Sequence, residues 1–294
     1  SHRDRSLFMS VTAELIKGLV EAGIHFGHPA SRWNPKMQAY IHGKRGNVHI
    51  IDVKATARGI LMAKKLITQT VATGKDVLFV GTKRQARNTI TEHAERAGMH
   101  SVTERWLGGT LTNFRTIRER LKRLDQLDKL WETGTIDTYS KKMKSTLSRE
   151  RTKIAQNLSG IRKMERMPGL MVIIDTRREH IAVKEAKKMG VKTIALIDTD
   201  SDPDLIDLPI PGNDDAMRAI DLVVKELADA AIEGKSGRAA QEAKEGGDGP
   251  RRGRSTRARF KAEDGEKPTD ASAPAAPTDE STPTEPAAAE PVSA

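Results

Sequence analysis

DVLFVGT, residues 76–82, is the stretch of sequence that decides the fold. Four consecutive apolar residues follow Asp76 and end at Gly81. A half-exposed antiparallel strand would alternate apolar and polar residues, so this uninterrupted run indicates a strand covered on both faces. The pattern returns in Leu170–Ile174 and in Thr193–Ile197, and each run leads into an Asp-Thr pair. Helical segments separate the runs, so we predict an α/β fold with a parallel sheet flanked by helices.

A strongly basic segment of about fifty residues interrupts this pattern between Phe114 and Pro168. Its two halves carry apolar residues at helical spacing, and the polar stretch from Gly134 to Tyr139 separates them. Two such helices joined by a short link are typical of an antiparallel coiled coil. We therefore predict an inserted coiled-coil arm. Its apolar positions are Ile117, Leu121, Leu124, Leu127, Leu147, Ile154, Leu158 and Ile161.

The charge of the chain is concentrated on this insertion. The sequence has 50 Lys and Arg against 40 Asp and Glu, a net charge of +10. Residues 115–166 hold 15 basic and 7 acidic side chains. Such a field favours a polyanionic partner, either nucleic acid or an anionic membrane surface. No apolar run approaches the roughly 20 residues needed to span a bilayer, and no signal-peptide pattern is present, so we expect no membrane partner.

The sequence divides into four parts. Amphipathic order begins at Met9, so we expect residues 1–8 to be a disordered extension. We assign 9–114 and 169–234 to the α/β domain and 115–168 to the arm, and we predict that the last helix ends at Gly234. Residues 235–294 carry a basic cluster followed by Ala, Pro, Thr and acids, a composition that cannot bury enough apolar surface to order itself. We expect a disordered low-complexity tail there.

An enzyme is the first function to weigh, since parallel sheets bind ligands at the carboxyl ends of their strands. The dinucleotide fingerprint G-x-G-x-x-G does not follow Gly81, and the Walker pattern is absent. Thr82, Thr176 and Asn213 are each explained as helix caps, and Thr176–Glu179 has the pattern of a capping box. We therefore predict no catalysis and no small-molecule substrate, with a nucleotide-binding enzyme as the rival.

A metal site is the second possibility. His25 and His28 lie three residues apart in a Gly- and Pro-containing loop, without the supporting ligands that zinc requires, and the chain has no cysteine. Loop packing or hydrogen bonds to phosphate explain these histidines better. The acids Asp198, Asp214 and Asp215 could hold a weakly bound, hydrated Mg²⁺, although solvated loop acids are the commoner outcome. We predict no other cofactor.

RNA binding is the third possibility. Three basic helices, predicted at 83–97, 115–131 and 141–166, coincide with two loops that combine Arg, Trp, Asn and Gly, at 25–36 and 105–114. Exposed arginines beside aromatic residues suit RNA recognition through phosphates, shape and stacking. Trp33 and Trp106 fit a core position equally well. These features predict a basic RNA-contacting protein, and a free-standing RNA regulator is one class of such proteins.

Six segments resemble the bacterial small-subunit ribosomal protein 2 family. They are EAGIHFGHPASRWNPKMQAYI (21–41), NVHIID (47–52), VLFVGTKRQA (77–86), ERWLGGTLTNFRTI (104–117), DTRREHIAVKEAKKMG (175–190) and LPIPGNDDAMRAI (208–220). The match runs from about Met9 to Gly234, and RWNPKM and RWLGGTLTNF are its most specific parts.

This resemblance implies a flavodoxin-like domain with a helical coiled coil. It also implies a structural, non-catalytic role in the small subunit of the cytoplasmic ribosome. The partners it implies are small-subunit rRNA, at the head–body junction on the solvent side, and neighbouring ribosomal proteins including ribosomal protein 1. The residues at which we expect RNA contact are His25, His28, Arg32, Trp33, Asn34, Lys36, Lys83, Arg84, Arg105, Trp106, Asn113, Arg115, Arg118 and Arg178.

Overall fold

A five-stranded parallel sheet forms the centre of the computed structural model, which describes residues 13–247. Its strands lie in the order β5-β4-β6-β7-β8, and every neighbouring pair is parallel. This is the order of a flavodoxin-like sheet, so the predicted fold class is confirmed. The strands are β4 (Val77–Val80), β5 (His100–Val102), β6 (Leu170–Ile174), β7 (Lys192–Ile197) and β8 (Leu208–Pro211).

Alternate residues of each central strand enter two different hydrophobic cores. In β4, Val77 and Phe79 belong to one core, while Leu78 and Val80 belong to the other. All four are fully buried. Because successive side chains of a strand point to opposite faces, a continuous apolar run is the sequence of a strand with both faces covered. β8 lies at the edge of the sheet, as its two prolines predict.

Helices cover both faces of the sheet. The first core contains residues of α1 (residues 13–21), α2 (Val53–Ala72), α3 (Arg84–Ala97) and α7 (Met217–Gly247). The second core contains residues of α6 (His180–Met189), and α4 (Phe114–Glu132) and α5 (Lys141–Leu158) join the same core at its border. No helix among residues 13–247 combines the length and hydropathy required to cross a membrane.

The basic insertion forms two helices, and α5 returns along α4. Helix α5 ends at Leu158 and not at residue 166 as predicted, and a short 3-10 turn, Ser159–Ile161, follows it. Ile117, Leu121, Leu124 and Leu127 of α4 are buried, as are Leu147, Ile154 and Leu158 of α5. Ion pairs join the helices outside this seam. Arg123 Nε lies 3.1 Å from Glu150 Oε1, and Arg151 Nε lies 2.6 Å from Asp128 Oδ1. Each helix therefore buries its apolar stripe mainly against the other.

The segment before α2 contains more strand than the sequence indicated. The predicted hairpin is present as β2 (Ile41–Arg45) and β3 (Val48–Ile51). A further strand, β1 (Phe26–Pro29), pairs antiparallel with β3 inside the segment that we predicted to be loop. Its sequence, FGHP, contains Gly and Pro and so resembles a turn. Pairing with β3, which is distant in sequence, overrides that local preference.

None of the three predicted helix caps is the N-cap residue of its helix. Lys83, not Thr82, is the N-cap residue of α3, and no side chain caps that end. Helix α6 begins at His180, after the Thr176–Glu179 pattern, and the side chain of Glu179 bonds to Thr82 instead of closing a capping box. The third predicted cap, Asn213, lies four residues before the start of α7 at Met217, and its Oδ1 accepts hydrogen bonds from the N–H groups of the second and third residues after it, which closes the turn before the helix.

The last helix is longer than predicted, because α7 continues past Gly234 to Gly247. Gly234 stays in the helix since it lets α7 approach α2 closely: a Cβ there would lie 2.8 Å from Val71 Cβ. A glycine in a helix is thus a packing contact here and not an end. The expectations for residues 1–8 and for the tail beyond 247 lie outside the described residues.

Candidate nucleic-acid interface

The carboxyl ends of the five parallel strands meet at one edge of the sheet, which we call the carboxyl edge. It comprises the segments 81–83, 103–113, 175–179, 198–204 and 212–215. The loop after β1 is attached to it, because the Asn34 N–H donates to the Thr199 carbonyl oxygen at 2.8 Å. Most of the residues at which we expect RNA contact therefore lie along one edge of the molecule, as Lys83, Arg105 and Arg178 illustrate.

Lys83 lies at the centre of a charge network on the carboxyl edge. Its Nζ is 2.7 Å from Asp214 Oδ1, 2.6 Å from Asp215 Oδ1 and 3.4 Å from Asp175 Oδ2. Burial alone would lower the pKa of Lys83, but these three carboxylates raise it above its usual range. The ammonium group is thus charged and engaged by acids of its own chain.

Asp214 is the group of this network that titrates near neutral pH. Burial raises the pKa of Asp214 to about 7, and the charge of Asp175 acts in the same direction, whereas Lys83 opposes the shift. The backbone of Asp175 has φ of 66°, a conformation that non-glycine residues rarely adopt. This strained residue directly follows β6, at the point where the strand order reverses. The network therefore fills the position at which flavodoxin-like folds accept a ligand.

His28 joins the N-terminal part of the chain to the same network. Its Nδ1 lies 2.8 Å from Asp198 Oδ2, and its backbone N–H donates to Thr199 Oγ1 at 2.9 Å. The hydrogen bond to Asp198 raises the pKa of His28 to about 9, although partial burial opposes the shift. His28 is thus a charged, structural residue at neutral pH, and its N–H groups are used inside the protein.

The backbone amide that follows Gly81 is also occupied. The Thr82 N–H donates to Glu179 Oε1 at 2.9 Å, and the Thr82 hydroxyl donates to the same oxygen at 2.5 Å. Arg178 Nε in turn donates to Thr82 Oγ1 at 2.9 Å. A bound nucleotide phosphate would need amides of this kind at the strand end. Here the amide after Gly81 instead binds the Glu179 carboxylate of the chain itself.

Glu185 of α6 organises the second Trp-containing loop, and sequence reasoning missed it. Trp106, only 6% exposed, donates its indole N–H to Glu185 Oε1 at 3.2 Å. The backbone N–H groups of Gly109, Leu111 and Thr112 donate to the same carboxylate. Burial alone would raise the pKa of Glu185, but these hydrogen bonds lower it overall. The sequence does contain a signal that Glu185 is buried, because helical spacing puts it on the apolar face of α6, beside two alanines.

Five of the six arginines at which we expect RNA contact are exposed, and one of them is Arg178, which donates to Thr82. Arg32, Arg84 and Arg105 have no ion pair or side-chain hydrogen bond within residues 13–240. The side chain of Arg115 is 91% exposed and lies 3.4 Å from Glu119. Such side chains can reach phosphates without first breaking a strong contact. Arg105 lies on the carboxyl edge, Arg84 directly follows its first segment, and Arg115 lies in the first turn of α4.

The remaining residues of that set have partners inside the protein. Lys36 Nζ lies 2.8 Å from both Asp202 and Asp204. Asn34 Oδ1 accepts from the Lys36 N–H, and Asn113 Oδ1 accepts from the Thr116 hydroxyl. Two of the others make tilted ring contacts: the Trp33 ring centre lies 5.2 Å from that of His49, and the His25 ring centre lies 4.1 Å from that of Phe26. The last, Arg118, donates to the Met164 carbonyl oxygen.

A groove of about 380 Å³ lies where α4 and α5 meet the second Trp-containing loop. Its floor is apolar, with Leu107 from the loop, Ile117 from α4 and Ile154 from α5. Arg120 and Lys153 stand at its rim. The loop that Glu185 holds thus continues directly into the basic helices.

The family model described as ribosomal protein S2 matches residues 19–234. The chain belongs to the ribosomal protein S2 family. The chain is 56% identical over 222 residues to small ribosomal subunit protein uS2 of Rhodopirellula baltica. The aligned region covers 76% of this chain and 85% of that protein. Its identity to the protein of the same name from Syntrophobacter fumaroxidans is 52% over 220 residues, 75% of this chain and 80% of the relative. The relative from a Nitratiruptor species is 50% identical over 220 residues, 75% and 82% of the two chains.

Membership of the ribosomal protein S2 family settles the class of protein. The family is structural and non-enzymatic, so the S2-family chain is not an enzyme. At the carboxyl edge, Lys83 pairs with Asp214, and Glu179 accepts the hydrogen bond of the Thr82 N–H, so both side chains are engaged inside the protein. The match ends at residue 234, within α7.

Proposed function

We propose that this protein is a structural constituent of the small ribosomal subunit. It binds small-subunit rRNA at the junction of head and body on the solvent side, within the cytoplasmic ribosome. It also supports the docking of neighbouring ribosomal proteins, including ribosomal protein 1. The single observation that carries the proposal is the family match over residues 19–234, joined to relatives whose name places them in the small subunit.

The charge distribution supports rRNA as the direct partner. Acids of the chain already neutralise Lys83 and Lys36, whereas Arg32, Arg84 and Arg105 have no such partner within the described side chains. Among the residues at which we expect RNA contact, these three arginines and Arg115 contact phosphates. His28, Lys83 and Trp106 hold the loops that present them.

The proposal includes no cofactor. A weakly bound Mg²⁺ near Asp198, Asp214 and Asp215 stays a prediction, and Lys83 already supplies positive charge to the latter two. Thermal unfolding in MgCl₂ and in NaCl of equal ionic strength tests it. A higher midpoint in Mg²⁺ would support the ion, and equal midpoints would contradict it.

The experiment is co-migration with small subunits on sucrose gradients, before and after a high-salt wash. The test variant replaces Arg84, Arg105 and Arg115 by Ala. Each lost phosphate contact removes roughly 0.7–0.9 from the salt slope, so the variant should leave the subunit at a lower salt concentration than wild type.

The matched control replaces three exposed basic residues of α2 and α7, namely Lys65, Arg218 and Lys225, by Ala. It has the same net charge as the test variant, so a difference between the two reports position and not total charge. The assignment of the contacts would be wrong if both variants dissociated together. Failure of the wild-type protein to co-migrate with small subunits at any salt concentration would refute the function itself.

A further inference from the structure

The loop from Trp106 to Thr112 is folded around one buried carboxylate. Glu185 is 8% exposed and accepts five hydrogen bonds from this loop. Oε1 accepts from the Trp106 indole N–H at 3.2 Å and from the Gly109 N–H at 2.7 Å. Oε2 accepts from the Leu111 N–H at 3.0 Å, the Thr112 N–H at 3.1 Å and the Thr112 hydroxyl at 3.2 Å.

Backbone N–H groups that converge in this way form an anion-binding concavity. A glycine-containing loop with such amides would ordinarily be a candidate for holding an RNA phosphate. Gly109 has φ of 93°, the conformation that turns its N–H toward the carboxylate side of the loop. Glu185 already fills this concavity with a negative charge. The loop therefore has no free amide cluster to offer to RNA, and its contacts with RNA must come from side chains on its outer surface.

Those outer side chains are basic and exposed. Arg105 precedes Trp106, and Arg115 follows the loop at the start of α4. Leu107 and Gly108 of the same loop line the groove between α4 and α5. The path of the loop sets the positions of all four residues.

We propose that Glu185 is a positioning residue of the rRNA interface: by gathering the amides of the 106–112 loop it fixes Arg105 and Arg115 in the geometry that binds RNA. The inference rests on the proposed function and deepens it, because it names a buried acid of α6 as a determinant of RNA affinity. Glu185 itself touches no RNA.

The direction in which RNA affinity changes when the Glu185 charge is removed distinguishes a positioning role from a purely electrostatic effect. Removing a negative charge near a polyanion strengthens binding if charge alone matters. Glu185→Gln removes that charge with almost no change of shape. Its amide NH₂ must face either the Trp106 and Gly109 donors or the Leu111 and Thr112 donors, and two donors facing each other cannot bond. The loop is then released on one side, and the positioning role predicts weaker binding.

The experiment titrates fluorescently labelled full-length protein with small ribosomal subunits that lack this protein. Glu185→Gln should weaken binding about tenfold, the loss expected when one or two arginine contacts are misplaced. The matched control is Glu226→Gln, which removes one carboxylate charge from the Lys64–Glu226 pair between α2 and α7. The control should bind as wild type does.

A double-mutant cycle with Arg105→Ala tests positioning and not mere stability. Introduced into the wild-type protein, Arg105→Ala should weaken RNA binding several-fold. Introduced into the Glu185→Gln protein, it should weaken binding little further, because a misplaced Arg105 contributes little to affinity. Thr112→Val, which removes a single donor to Glu185, serves as a second variant with a smaller loss of the same sign. Far-UV circular dichroism verifies that each variant is folded at the assay temperature.

Each outcome is decisive. Equal or tighter binding by a folded Glu185→Gln protein overturns the positioning role, as does a full additional effect of Arg105→Ala in that background. If Glu185→Gln fails to fold, an affinity of Thr112→Val equal to that of wild type overturns it. Absence of binding by wild type refutes the proposed function instead, and so the two failures are distinguishable.

Discussion

Replacing His28 by Asn should remove a defined part of the pH dependence of stability. The His28 ring lies 2.8 Å from Asp198 Oδ2, and Asp214 and Asp215 also face it. The side-chain amide of Asn can still donate to Asp198, but it does not titrate. The variant therefore keeps a hydrogen bond and loses the charge.

The magnitude follows from the pKa of His28, which rises from 6.5 to about 9 on folding. A pKa raised in the folded state means that the native protein holds a proton which the unfolded chain has released. The stabilisation is thus complete below pH 6.5 and disappears as the pH rises through 9. At 1.36 kcal/mol for each unit, the full effect is at most about 3 kcal/mol, since the ring is partly exposed and solvent screens the pair.

The assay is urea unfolding of both proteins at several pH values between 6 and 9.5. Subtracting the two free energies of unfolding cancels the contributions of shared groups that do not interact with His28. Asp214 faces His28, so its coupling to the ring is part of the measured difference. The difference in favour of wild type should shrink by up to about 3 kcal/mol across this range. Parallel stability curves would refute the reasoning, because they would mean that His28 gains no proton on folding.

Three further substitutions test the packing. Leu127→Ala, at a fully buried position of the α4–α5 seam, should lower the free energy of unfolding by about 2–5 kcal/mol in urea titrations. Gly109→Ala should cost about 1–2 kcal/mol because φ is 93°, whereas Gly108→Ala, which meets no neighbouring atom, should change stability by less than about 0.5 kcal/mol. Gly160→Ala should cost about 1–3 kcal/mol, since a Cβ there would lie 2.2 Å from the Ser101 carbonyl oxygen; a loss below 0.5 kcal/mol would contradict that close contact.

Strands and helices whose burial is visible in their own apolar pattern could be predicted from the sequence. The run 77–80 is apolar at every position because the strand is covered on both faces, and no exposed position interrupts it. The apolar spacing of α4 likewise shows the stripe that faces α5. In both cases the side chains that form the element also carry the signal, so a short window of sequence is sufficient.

The hydrogen-bond partners at the candidate interface could not be predicted from the sequence. Thr82 and Thr176 have the local pattern of helix caps, and local partners would satisfy them in a peptide. In the folded chain Thr82 instead bonds to Glu179, 97 residues away in sequence. The strand β1 is similar, since its Gly and Pro indicate a turn until β3 supplies the hydrogen bonds of a sheet.

The amino-acid sequence by itself determined the class of fold, the family and the basic character of the arm, because periodicity, motifs and net charge are properties of the chain alone. Only the tertiary structure decided which charges are free. Lys83 and Arg84 are adjacent in sequence, yet Lys83 is bound to Asp214, 131 residues away, while Arg84 extends into solvent. The physical reason is that an ion pair depends on which strand ends lie side by side, and the order of strands in the sheet fixes that arrangement.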